Sequence, residues 1–186
     1  MLFKRETKST KEFAYEALIK YNITSLPVTI KYSKDIRIYS MQFLANYHKE
    51  NVSEYFNKFG YRGFTFYEPK YDNYVIFYNE NDPEEMQRWV VSSAIALIEY
   101  HQLSDDYGTS LTYLPEYIDD FTYIYTCPDC VLKRDNISSA EQIIKACKIP
   151  FNKAREKVKR LKLSNISDFR SIKKLESLIC KLISKT

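Results

Sequence analysis

Few residues in this chain of 186 are of the types that do chemistry at close quarters. Cys127-Pro128-Asp129-Cys130 is a C-x-x-C. At that spacing two thiolates hold half of a zinc tetrahedron or cycle through a disulfide. A zinc site needs two further ligands. The chain offers only Cys147 and Cys180 as other thiols and His48 and His101 as imidazoles, with no second C-x-x-C. Redox use wants the pair at a helix N-terminus in a βαβ context, whereas the pattern ahead of Cys127 puts it at a helix C-terminus. Structural thiols are the favoured reading, with Cys127 and Cys130 the candidates for a metal. The lone histidines read as structural or surface groups. Glu84-Glu85 and Asp119-Asp120 are adjacent pairs, and neighbours on a helix point roughly 100° apart, so neither pair faces itself as a catalytic dyad would. The first suits a helix dipole, the second a solvated face.

A second kind of chemistry is electrostatic. Ser138–Leu163, SSAEQIIKACKIPFNKAREKVKRLKL, reads as two short helices joined at Lys148-Ile149-Pro150. Lys153, Arg155, Lys157, Lys159 and Arg160 make the second basic, as in a helix-turn-helix whose second helix enters a major groove. These five are the candidate contacts to DNA or to an acidic partner. The whole chain is uneven in charge: residues 1–130 carry 13 Lys and Arg against 19 Asp and Glu, residues 131–186 carry 15 against 5. A basic tail after an acidic body can dock on the body, on nucleic acid or on another acidic partner.

Composition excludes several classes. With 3 glycines there is no Gly-rich phosphate loop. No apolar run approaches the ~18 residues of a membrane span. The N-terminus is charged from Lys4 onward with no signal-peptide core. With four cysteines, that predicts a reducing cytoplasm. The 17 tyrosines suit a protein-binding surface, being apolar bodies with a wet tip.

The elements follow from periodicity. Ser9-Thr10-Lys11-Glu12 has capping-box chemistry, with Phe13, Ala14, Ala17, Leu18 and Tyr21 on one helical face. Ile36–Ser40 alternates as a strand, and Val52, Tyr55, Phe56 and Phe59 suggest a short helix before the turn at Gly60. Arg62–Glu68 and Tyr71–Asn79 are the clearest strands, joined as a hairpin through Pro69-Lys70. Asp82-Pro83 opens a helix that is apolar nearly all round, so it is predicted to be central and buried. Further helices are predicted from Pro115 toward Pro128, through the two segments of 138–163, and over Asp168–Ser184, where Phe169, Ile172, Leu175, Leu178, Ile179 and Leu182 share a side.

This order resembles the ImmA/IrrE family of zinc-metallopeptidase-like domains over roughly residues 10–163. Leu26-Pro27-Val28 matches the family's "LP" segment, and Ile76–Asn79 followed by Gln87-Arg88-Trp89 its hairpin and Arg-bearing helix. Phe121, seven residues before Pro128, and Arg160-Leu161 match downstream. The family's central helix reads approximately R-F-T-L-A-H-E-L-G-H-I-L-L-H. In register, this chain has Ser93 and Leu97 at the two zinc histidines and Ala94 at the general base. Tyr117 stands at the third ligand, and His101 keeps the trailing histidine. H-E-x-x-H works because His at i and i+4 share a helix face and grip one metal, which lowers its water's pKa toward ~7. Ser and Leu do neither, and the apolar replacements predict a filled cavity.

The expectation is therefore α+β: a small, mainly antiparallel sheet packed on a buried central helix, followed by C-terminal helices, zincin-like in the ImmA/IrrE manner. Residues 1–130 form a degenerate peptidase-like domain, and 131–186 a basic helical region packed on it. The resemblance implies a non-catalytic pseudo-peptidase with no cofactor. Its expected role is to bind a protein partner as a regulator or inhibitor for a phage or mobile element, for example against a host defence nuclease. The alternative is a DNA-binding regulator using 138–163. A residual metal site would have to draw on ligands such as His101, Glu99 and Cys130.

Overall fold

The structure, a computed structural model, describes residues 9–29, 35–59, 62–107, 115–163 and 170–184. The charged N-terminus, Gly60 and Phe169 lie outside these. Helix α1 (Thr10–Lys20) begins with the expected capping box: Ser9 Oγ accepts the Glu12 N–H, and the Glu12 carboxylate accepts the Ser9 N–H at 2.9 Å. It buries Ala14, Tyr15, Ala17 and Leu18. Strand β1 (Ile36–Ser40) runs straight into α2 (Met41–His48), because Ser40 both ends the strand and caps the helix through the Phe43 N–H. Helix α3 (Val52–Phe59) leads to the hairpin of β2 (Gly63–Glu68) and β3 (Asn73–Tyr78).

The sheet order is β1-β3-β2. The hairpin is antiparallel, but β1 pairs parallel to β3, with Ile36 opposite Tyr74 and Ile38 opposite Ile76. The sheet is thus mixed rather than mainly antiparallel. The cause is the α2–α3 excursion after β1, which lets the chain return with β3 inserted between β1 and β2. Asn73 to Phe77 are all buried, as a strand covered on both faces requires. Ile36, Ile38, Tyr74 and Ile76 join the main core on one face. Val75, Phe77, Phe64 and Tyr39 form a smaller cluster with Met41, Leu44, Val52 and Phe56 on the other.

Helix α4 (Glu84–Tyr107), 24 residues long, lies under the first face and buries Trp89, Ser92, Ala94, Ile95, Ala96, Ile98 and Tyr100. It is followed by α5 (Pro115–Thr126), α6 (Asp129–Arg134), α7 (Ala140–Cys147), α8 (Phe151–Leu163) and α9 (Arg170–Leu182). One buried cluster runs across residue 130, joining Leu18, Ile95 and Phe121 to Ile143, Ile149, Ala154, Ile172 and Ile179. Arg134 fastens the end of α9: its guanidinium donates to the Cys180 and Ile183 carbonyls at 2.6 Å while gripping the Asp135 carboxylate. A cation on orphan carbonyls of a last helical turn offsets their missing partners. Among the described residues, no helix is long and apolar enough to cross a membrane.

Candidate functional site

Strand β2 is an edge, and it passes close over α4. Gly63 permits this: a Cβ there would stand 2.5 Å from the Phe77 carbonyl oxygen and 2.7 Å from Val90 Cγ1. Ile118 of α5 lines the same space beside them. The result is a cleft of about 260 Å³ lined by Gly63 and Thr65 of β2, Trp89, Ser93, Ala94 and Leu97 of α4, and Ile118 of α5, among others. The three α4 positions singled out by the resemblance therefore open onto one space. The expected filling of that cavity is not found: Ser93 and Ala94 carry small side chains and leave the space open. Ser93 turns its hydroxyl back to the Trp89 carbonyl at 3.0 Å, and Thr122 Oγ1 lies 3.4 Å away.

Tyr117 does not join them. Its ring lies 4.9 Å from Tyr100 and 6.5 Å from Phe13 by centroids, in the α1–α4–α5 core, where burial first and Glu99 second push its phenol up. The α5 side chain that reaches the cleft is Ile118, one residue on. One position turns a side chain by roughly 100°, so a ligand alignment out by one lands on the wrong face. Thr65 and Ile118 were missed by sequence reasoning; the hairpin next to the central helix was the available signal for the first.

The outer edge of β2, with which no described strand pairs, forms the rim. Asn79 N–H donates to the Arg62 carbonyl at 3.0 Å, so these two form a hydrogen-bonded pair. Alternation along an antiparallel ladder then aims the N–H and C=O groups of Gly63 and Thr65 away from β3, toward the side on which no described strand pairs with β2. On the opposite face of β2, Phe64 and Phe66 stack with Phe77, and Tyr39 stacks with Phe43. Phe66 and Phe43 stay 41% and 52% exposed.

The basic residues of α8 part company. Lys157 is buried at 2% exposure, its ammonium 2.5 Å from Asp129 Oδ1 and 3.3 Å from the Tyr123 carbonyl. Arg160 holds Asp119 and Asp120 and lies over the Tyr123 ring. Lys153 sits 4.7 Å over the Trp89 ring, beside Asp119. Asp119 and Asp120 are thus not a merely solvated face, and these three cations are engaged by the chain's own acidic body rather than free for phosphate. Arg155 and Lys159 remain exposed.

The C-x-x-C is split. Cys127 follows α5 and Cys130 lies in the first turn of α6, so the motif spans a helix junction rather than closing one helix. Each thiol meets a different partner: Cys127 contacts Cys147, and Cys130 contacts Cys180 and Tyr15. Burial pushes the Cys127 thiol up, but the hydrogen bond from Cys147 and the charge of Lys157 outweigh it and leave that thiol lowered. Cys130 is pushed up to about 12, by burial first and by Cys180. Alkylation of the native protein near neutral pH should therefore label the half-exposed Cys180 first. Cys127, Cys130 and Cys147 should react at the rate of unfolding, and mass spectrometry of timed samples reads the order.

Glu99 is held by Lys20 at 2.8 Å and by the Tyr21 hydroxyl at 2.5 Å, and His101 Nδ1 by the Tyr74 hydroxyl at 3.0 Å. His48 is exposed beside Tyr47 and Tyr55. Glu99, His101 and Cys130 do not converge, and among the described residues no three His, Cys, Asp or Glu side chains are grouped to hold a metal. No family model, curated protein or solved structure matches this chain.

Proposed function

We propose that this protein is a non-catalytic, peptidase-like binding domain that captures an extended segment of a partner protein along β2, as a regulatory or inhibitory factor of a phage or mobile element. The observation that carries this reading is the cleft itself. Ser93, Ala94 and Leu97 stand where the resemblance places a metal and its base. They line an open, largely apolar trough whose rim is the outer edge of β2, with which no described strand pairs. Among the described residues the trough's lining holds no His, Cys, Asp or Glu; beside the polar groups of Arg62, Thr65 and Ser93 it offers apolar contact and the backbone of β2. A strand added to an edge gains main-chain hydrogen bonds, with pockets selecting alternate side chains. The exposed aromatics Phe66 and Tyr67 stand on this strand, and aromatic residues anchor protein interfaces.

Thr65→Pro tests it. Proline there removes an N–H that points to the free edge and leaves the β2–β3 ladder intact, and edge strands accommodate it. Affinity purification from the native host at low salt should recover a partner with the wild-type chain. The recovery should fall at least about tenfold with T65P, the cost of roughly one lost charge-free anchor of ~1.4 kcal/mol or more. No partner from the wild type, or equal recovery by both chains, overturns the reading.

A further inference from the structure

Helix α8 carries two basic stripes. Residues two apart on a helix point about 200° from one another. Lys153, Lys157 and Arg160 face inward and are neutralised by Asp119, Asp129 and Asp120. Arg155, Lys159 and Lys162 form the opposite stripe and are exposed. Glu156 of the same helix lies beside this outward stripe, 3.2 Å from Lys159. An exposed pair of that kind is worth little and opens readily.

What precedes α8 gives this stripe a shape. Helix α7 has 8 residues and a full capping box at Ser139 and Gln142. It ends at Lys148 in the left-handed conformation (φ 50°, ψ 52°), and three residues, Lys148-Ile149-Pro150, turn the chain into α8. Ile143 and Cys147 of α7, Ile149 of the turn, and Ala154 and Lys157 of α8 are the buried points that lock the two helices together and to the body. Phe151, Asn152, Arg155 and Lys159 on α8 are exposed on one side of this corner, with Lys145 and Lys148 also exposed nearby. Phe151 is 57% exposed at the tip of α8, with the Arg155 guanidinium 5.8 Å over its ring.

We propose that α7 and α8 form a helix-turn-helix that docks α8 in the major groove of duplex DNA. Arg155, Lys159 and Lys162 take phosphates, and Phe151 and Asn152 reach base edges. A 13-residue helix is about 20 Å long and fits a groove ~12 Å wide. Asn pairs with adenine and apolar groups pack on the thymine methyl, so the tip favours A·T steps. The surface is separate from the β2 cleft, and T65P leaves it intact.

The experiment is fluorescence anisotropy with a labelled 20-base-pair duplex of mixed sequence, starting near ~50 mM salt. The wild-type chain should bind, and the affinity should fall steeply as salt rises. R155A/K159A should weaken binding at least tenfold and flatten the log–log salt slope by about two, one released counterion for each lost phosphate contact. N152A should reduce the preference for A·T-containing duplex while leaving the salt slope alone. K174A/K181A, removing two exposed cations of α9, should bind within twofold of wild type. Circular dichroism melts establish that each variant is folded. Absence of binding at ~50 mM salt, equal losses in the two double variants, or equal affinity for heparin and for duplex DNA each overturns the proposal. Tighter binding to an RNA duplex, whose deep narrow major groove excludes a helix, also overturns it.

Discussion

Lys157→Met will destabilise the fold by about 3–5 kcal/mol, although a basic helix of this composition would ordinarily be read as surface. The change removes an ammonium that is 2% exposed and leaves Asp129, itself buried, without its cation. Breaking a buried pair from one side costs that much because the remaining charge stays desolvated. Against a total of roughly 5–15 kcal/mol the variant approaches the unfolding threshold. At about 2–4 °C per kcal/mol for a chain of this size, its melting temperature should fall by about 10 °C. Pairing the change with Asp129→Asn should cost much less than the sum of the two single changes, since no uncompensated charge then stays inside. Arg155→Ala on the opposite side of the same helix should leave the melt within ~0.5 kcal/mol. Urea unfolding of the four variants measures all of this. A K157M loss below ~1 kcal/mol would mean that the ammonium reaches water and that the contact is an ordinary surface pair.

The same residue marks how far sequence reasoning reached. Local signals were legible. The Ser9 capping box, the β2–β3 hairpin, the apolar α4 and the α7–α8 corner follow from periodicity and caps, which act over a few residues. What failed was non-local or depended on phase. Lys157 meets Asp129, 28 positions upstream, only after α5, α6 and α8 pack, and nothing in its own neighbourhood separates it from Arg155. The parallel β1–β3 pairing is invisible for the same reason, since a strand's own residues do not name its neighbour. Helix α2 was hidden because Ser40 serves two elements at once. At the candidate site, Ser93, Ala94 and Leu97 line one cleft because i, i+1 and i+4 on one helix fix their own geometry. Tyr117, on a second helix, packs beside Phe13 and Tyr100, and Ile118 faces the cleft.

That difference in legibility leads to a variant with a large gain of function. Ser93→His, Leu97→His and Ile118→Glu together should create a stoichiometric zinc site where the described lining of the wild-type cleft holds no His, Cys, Asp or Glu. Two His four apart on α4 share a face, and a carboxylate from α5 supplies the third ligand of a His₂Glu set. A micromolar site, at a hundredfold excess of zinc, stabilises the fold by about 2.7 kcal/mol, or roughly 5–10 °C. Isothermal calorimetry and metal-dependent melts are the readouts. Placing the carboxylate at 117 instead, with Ile118 restored, should lose at least tenfold in affinity, because that side chain points into the α1–α4–α5 core. A folded triple variant that binds no zinc would show that α4 and α5 do not frame a common cleft, and the likeness of this helix to H-E-x-x-H would then be a coincidence of spacing. Zinc bound by the 118 variant and not by the 117 variant would instead tie the resemblance to geometry, since only a scaffold that already aims two helices at one point can regain a metal through three side chains.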